Sequence, residues 1–209
     1  MTSNTKAHAV PYFSQYQTPA LAAGIATGER TAADDPRWAT SGADTREEYA
    51  WWAGRLCGVA CLRMALAHWR IDPPQPVPLA RDLVDAGAYT VDGDTVGGLF
   101  HEPFARHVTG RWQLAARPDS SLTRETVHRE ITGGALVILS VHQSIRTLDP
   151  APPQRGGHLV LAHTADERTV TIHNPSGWPG VSQKNHRIEW RALDRFFAGR
   201  GIILGPHPN

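Results

Sequence analysis

The sequence predicts an α+β fold in which helices lead and an antiparallel sheet follows. Three observations carry that expectation. The run 57–70 (CGVACLRMALAHWR) is long, rich in Ala, Leu and Met, and closed by Ile71-Asp72-Pro73-Pro74, as a helix should be. The apolar run 135–141 (ALVILSV) reads as a buried strand. The runs 158–163 (HLVLAH) and 168–174 (RTVTIHN) alternate as strands around a short polar turn at Asp166-Glu167. Strands gathered in the second half argue against a doubly wound parallel sheet, which would interleave them with helices.

The remaining elements are placed around these three. Residues 9–13 (AVPYF) form a short strand or an extended lead-in. A polar, small-residue stretch follows from Ser14 to Ala43, with a helix over 19–26 and a break at Asp34-Asp35-Pro36. Residues 45–52 make a short helix ending near Gly54, and 78–86 a second one capped by Gly87. Residues 88–118 show no clear period. A helix spans 120–131 before Gly133-Gly134, a short helix covers 189–198, and 201–204 closes the sheet. The stretch 150–157 (PAPPQRGG) is a loop, because neither flank could fold alone. The 209 residues therefore read as one domain with an insertion at about 17–50.

Composition narrows the function. With 41% apolar and 20% charged residues the chain can bury a core. Lys and Arg number 21 against 20 Asp and Glu, a formal charge of +1, so no basic excess exists to bind nucleic acid or anionic membrane. Two cysteines four residues apart make no disulfide framework. The N-terminal MTSNTKAHAVPYFSQ lacks the apolar core of a secretory signal, and no run approaches the ~18 apolar residues of a membrane span. A cytoplasmic protein with reduced thiols is expected. Eleven histidines include no H-E-x-x-H, and Cys57-x₃-Cys61 has no second ligand pair, so no metal is expected. DGDTVGG (92–98) does not sit at a strand-to-helix junction, so no phosphate-binding cofactor loop is expected either.

Three residues carry potential chemistry. Cys57 opens the best helix, where backbone N–H groups and the macrodipole favour a thiolate, the nucleophilic form of cysteine. By position alone, a nucleophile and a small buried hydrophobe are equally good readings; Cys61, among Ala60, Leu62 and Met64, fits the second. His158 starts a strand just after Gly156-Gly157. If a three-residue turn at 165–167 closes the hairpin, His158 lies directly opposite Asn174 on one sheet face. An amide there can hold an imidazole in one orientation and leave its other nitrogen for a thiol. His142 reads as a strand-end surface histidine, His101 and His107 match no metal spacing, and at least two of Trp38, Trp51 and Trp52 should serve packing.

The order Cys, then His, then Asn is that of papain-like thiol enzymes. The segments VPYFSQ (10–15), CGVACLRMAL (57–66), GALVILSV (134–141) and GGHLVLAHTADERTVTIHNPSG (156–177) resemble the bacteriocin-processing, double-glycine-leader cysteine peptidase family and its stand-alone relatives. They touch about a quarter of the chain, in the right order over most of its length. The resemblance implies a papain-like α+β fold, with Cys57 as nucleophile, His158 as general base and acid, and Asn174 as the orienting residue. The family's oxyanion-binding Gln normally stands a few residues before the Cys. Here EEYAWWAGRL holds none, and the best match is Gln15, roughly forty residues upstream, with Gln17 the fallback. Asn174 stands where Asp is commoner in the family.

The function that follows is peptide or amide cleavage, or acyl transfer, through a thioester on Cys57, with hydrolysis as default. An amide-forming acyltransferase with the same Cys-His-Asn site is one alternative, and an inactive peptide-holding module of the same fold is another. A lid from the 17–50 insertion would exclude water and favour transfer. The substrate is a peptide or acyl compound, no nucleic acid or cofactor is involved, and the residues set no oligomeric state.

Overall fold

The computed structural model describes residues 10–206. Ala9, the first residue of the expected lead-in, lies outside them; Val10–Phe13 belong to no helix or strand. A single-turn 3-10 helix, Pro19–Leu21, runs into α1 (Ala22–Thr27). Further 3-10 turns at Ala32–Asp34 and Trp38–Ser41 lead to α2 (Arg46–Ala53). Next come α3 (Cys57–His68) and α4 (Pro76–Asp85), then strands β1 (Tyr89–Asp92) and β2 (Thr95–Gly98). Helix α5 (His101–Trp112), β3 (Leu114–Asp119) and α6 (Arg124–Thr132) follow. The chain ends in β4 (Leu136–Val141), β5 (His158–Ala165), β6 (Thr169–His173), β7 (His186–Glu189), α7 (Trp190–Leu193) and β8 (Phe197–Pro206).

Six strands form one antiparallel sheet in the order β3-β8-β4-β5-β6-β7. Strand β4 is buried along its whole length because it is central and covered on both faces. Leu136 and Ile138 point into a core shared with Leu62, Leu66 and Leu83 of α3 and α4. Val137, Leu139 and Val141 point into the other, with Val127 and Ile131 of α6 and Leu193 of α7. That alternation is the period-2 geometry of a strand between two layers.

The expected order of helices then sheet holds for five of the six strands, β4 to β8, which all follow α6, while β3 precedes α6 and sits at the sheet edge. The unreadable stretch 88–118 contains a hairpin, a helix and that edge strand. DGDTVGG runs from the last residue of β1 through the turn and along β2. The expected helix over 189–198 is only the single turn α7, because β7 occupies His186–Glu189 and β8 already begins at Phe197.

Helix α2 begins as the sequence suggests: the Thr45 side chain accepts from Glu48 N–H, and Glu48 Oε2 accepts from Asp44 N–H. The segment before it has its own small core of Tyr16, Ala22, Tyr49 and Ala53. At its centre Asp35, fully buried, accepts from Thr18 N–H, Thr18 Oγ1, Arg37 N–H and the Tyr49 hydroxyl. Burial pushes the Asp35 carboxyl up, but those hydrogen bonds outweigh it and hold the group below its ordinary value.

Candidate active site

Helix α3 sets Cys57 at its N-terminus and packs its body against β5. The packing is close because residue 58 is glycine: a Cβ there would stand 3.0 Å from Leu159 Cδ1 and 3.3 Å from the Tyr89 hydroxyl. The Cys-Gly pair thus places a thiol beside the start of the strand that carries His158. Backbone N–H groups of Leu159, Gly58 and Cys57 itself face the sulfur and favour a thiolate. Burial nevertheless wins and pushes the Cys57 thiol above its ordinary value. The helix terminus alone would have lowered it. Cys61, one turn on, is completely buried among α3's apolar side chains, and its thiol is pushed up further.

Strand β5 brings His158 to the same place. His158 and Cys57 both line a cavity of about 280 Å³, together with Tyr89, Leu99 and Ser140. His158 Nε2 lies 2.8 Å from Asn174 Oδ1. That oxygen also accepts from Ser176 N–H at 3.2 Å, which fixes the amide's orientation and makes Nε2–H the donor. The Nδ1 lone pair is then the basic one. His158 is 5% exposed, and burial drives its imidazolium down to a pKa of about 4, helped by the positive charge of Arg146 and opposed by the Asn174 hydrogen bond. The site therefore rests with a neutral thiol and a neutral imidazole.

The hairpin register differs from the sequence expectation. The turn has two residues, Glu167-Arg168, closed by Asp166 N–H to Thr169 O at 2.9 Å. Ala165 pairs with Val170 and Thr164 with Thr171; then a bulge at His163 shifts the ladder to Ala162–Ile172 and Leu161–His173. On that register Asn174 is level with Val160, and His158 with Ser176. The offset from the expected pairing is two residues, which keeps His158 and Asn174 on one face as diagonal neighbours. The contact survives a wrong register because turn and bulge errors add to an even number.

Two side chains not singled out from the sequence complete the cluster. Ser176 Oγ lies 3.2 Å from His158 Nε2, and Arg146 Nε donates to that hydroxyl at 2.9 Å. Arg146 comes from the 3-10 turn Gln143–Arg146 after β4, is half-buried, and pairs with no carboxylate among the described residues. Its charge favours the Cys57 thiolate and disfavours the His158 imidazolium. Asn174-Pro175-Ser176 is contiguous, so Ser176 could have been found beside Asn174; no sequence signal marks Arg146.

Gln15 is buried near the cluster, at 2% exposure. Its backbone N–H and the Ser14 hydroxyl both donate to Pro175 O, and Tyr12 donates to Asn174 O, so the VPYFSQ segment clamps the Asn174 loop. Gln15 Nε2 donates to Ala53 O at 2.9 Å, while Oε1 has no partner among the described residues. Gln15 does not line the cavity that Cys57 and His158 share. Gln17 is further off, its Oε1 accepting from Thr40.

No residue of 17–50 lines that cavity, so a water-excluding lid from this segment has no basis. The wall comes instead from the β1–β2 hairpin, through Tyr89 and Val96, and from Leu99 just after it. His101 lines it as well, whereas His142 caps the 3-10 turn through Ser144. Trp52 is buried edge-to-face against Trp51 and Tyr89, and Trp38 packs on the small core; all three tryptophans serve packing.

The chain is similar to several known proteins. The model of the Peptidase_C39 like family matches residues 8–198. A solved Bacillus anthracis protein described as a C39-like peptidase has 14% identity, covers 74% of this chain and 90% of its own, and gives a TM-score of 0.55. The peptidase domain of Streptococcus ComA, a bi-functional ABC transporter involved in quorum sensing, has 17% identity over 73% of this chain and 93% of its own, with a TM-score of 0.49. A double glycine motif protease from an AMS/PCAT transporter, solved with its leader peptide, has 22% identity over 72% and 84%, with a TM-score of 0.45. No curated protein matches the chain.

Proposed function

The chain belongs to the Peptidase_C39 like family and has its papain-like α+β fold, and from that premise we propose that it is a thiol enzyme acting on peptide or amide bonds. The observation that carries this reading is one cavity lined by Cys57 and by a His158 whose Nε2 is held by Asn174. In this mechanism Cys57 Sγ attacks the carbonyl carbon and its proton passes to His158 Nδ1. The backbone N–H of Cys57 holds the oxyanion, and the second Nε2–H of Gln15, which does not line the resting cavity, joins it only if the side chain turns in when substrate binds. The C–N bond then breaks, the imidazolium gives its proton to the leaving amine, and a thioester remains on Cys57. Water or an acceptor amine next yields a proton to Nδ1 and attacks the thioester; Sγ departs and recovers its proton. The 17–50 segment is, on the same reading, an insertion within a single domain.

The test is acylation by p-nitrophenyl acetate, followed by peptide mass. The expected result is an acetyl group on Cys57, absent in Cys57→Ser, that discharges to water; added glycinamide measures the share that goes to amide. An acetyl group confined to other residues, or none at all, overturns the reading. A peptide-holding module without turnover is the second reading. One observation favours it: Gln15 does not line the cavity, and one of its two amide N–H groups is spent on Ala53 O.

A further inference from the structure

The walls of the Cys57 cavity carry charge of one sign. Arg55 and Arg200 line it, from the α2–α3 turn and strand β8, and none of the lining residues is Asp or Glu; His101, also in the wall, is held uncharged at neutral pH because burial lowers its pKa. The chain as a whole is nearly neutral, at +1, so this is a local concentration and no echo of a basic protein. Among the described residues Arg55 and Arg200 have no carboxylate partner, although Arg81, Arg111, Arg117 and Arg187 each do. Arg55 is held in place without neutralisation. It donates to the backbone carbonyls of Trp51 and Asp94, and its guanidinium sits 4.6 Å from the Trp51 ring centre. Arg200 is exposed, and it lies over the chain just ahead of His158: a Cβ on Gly156 would stand 3.0 Å from its Nη2 and 3.4 Å from Ser140 Oγ. Glycine at 156, with φ of +100°, leaves the room for that approach. Arg146 adds a further cation behind His158.

Guanidinium groups with no carboxylate partner at the rim of a small cavity, one of them held and one exposed, fit a carboxylate, which their planar fork can bind in two-point fashion. We propose that the substrate carries a carboxylate beside the scissile carbonyl, read by Arg200 and Arg55. The carboxylate is the side chain of an Asp or Glu residue or a free chain terminus. This rests on Cys57 being the reactive thiol, and the test separates the two claims.

The first arm compares alkylation of Cys57 in the full-length protein by iodoacetate, an anion, and iodoacetamide, its neutral counterpart, at one alkaline pH. Both reagents consume the same thiolate, so their rate ratio reports the field at the sulfur and not the thiol's own acidity. The ratio should exceed that of 2-mercaptoethanol by about three- to tenfold at low salt, shrink with added salt, and drop in Arg200→Gln and in Arg55→Gln. The second arm measures protection of Cys57 from iodoacetamide by capped tetrapeptides. They differ at one position, holding Glu, Gln or Lys, and a Gln peptide with a free C-terminal carboxylate is added. Glu or the free carboxylate should protect best, and whichever does names the source; Arg200→Gln should erase the preference. A ratio equal to that of 2-mercaptoethanol, or equal protection by all peptides, overturns the proposal. Failure of Cys57 to become acylated would instead count against the enzyme reading.

Discussion

His158 is where burial and charge act together. A neutral imidazole with a pKa near 4 stays available as a base throughout the neutral range. Arg146 contributes to that low value through its charge, while its hydrogen bond to Ser176 Oγ steadies a second neighbour of Nε2. Arg146→Gln should therefore raise the His158 pKa towards 6.5, visible by NMR titration of the ring, and move the acid limb of acylation up with it. An unchanged titration would show that the guanidinium is too well screened to matter. Gln15→Ala tests the oxyanion assignment. If the second Nε2–H is used, acylation slows about a hundredfold, with little change in His158 titration. If Gln15 only ties the N-terminal segment to Ala53 O, stability falls and the rate per folded molecule holds.

At the scale of elements, the helix–strand wedge at Gly58 and the β5–β6 hairpin fix the site. Gly58→Ala forces a methyl against Leu159 and should cost about 1–3 kcal/mol in denaturant unfolding, while separating Cys57 from the strand. Helix α3 and strands β4 and β5 are legible from sequence because they lie in the core and are mostly apolar along their length. Helix α5 was not, since Pro103 and Gly110 interrupt it and only Phe104, Ala105 and Val108 are buried. Strands β1 and β2 show no alternation because most of their residues face water. The hairpin turn is one residue shorter than the sequence suggests because Asp166, which accepts from both Arg168 N–H and Thr169 N–H, belongs to the closing pair and not to the loop. The compensating bulge at His163 has no sequence signature at all. Cys57, His158 and Asn174 could still be found, each standing at the end of a readable element. Arg55, Arg146 and Arg200 could not, because an arginine without its fold has no address.

Across the whole molecule, acid should be destabilising. Burial lowers the pKa of His101, His107, His158, His173 and His186, so the unfolded chain binds more protons than the folded one as pH falls. Stability from each is full above the ordinary value of 6.5 and is lost on the way down. For His158 the loss is complete below about 4 and amounts to about 3 kcal/mol. Asp35 adds the same trend at lower pH, because its depressed carboxyl stabilises the fold only while ionised. Urea unfolding across this range should show a steady decline, and a flat profile would mean the histidines are hydrated in solution. Among the described residues no helix is long and apolar enough to cross a membrane.

The central claim is that His158 takes the proton of Cys57 as the thiol attacks. Its most direct test is the rate of Cys57 acylation by p-nitrophenyl acetate against pH, in the wild type and in His158→Ala. The wild-type rate should hold nearly level from neutral pH to about pH 5, then fall as the imidazole protonates near 4. His158→Ala should be about a hundredfold slower near pH 6 and climb tenfold per pH unit, as an unassisted thiol does. Two identical profiles, both rising in proportion to hydroxide, would contradict it.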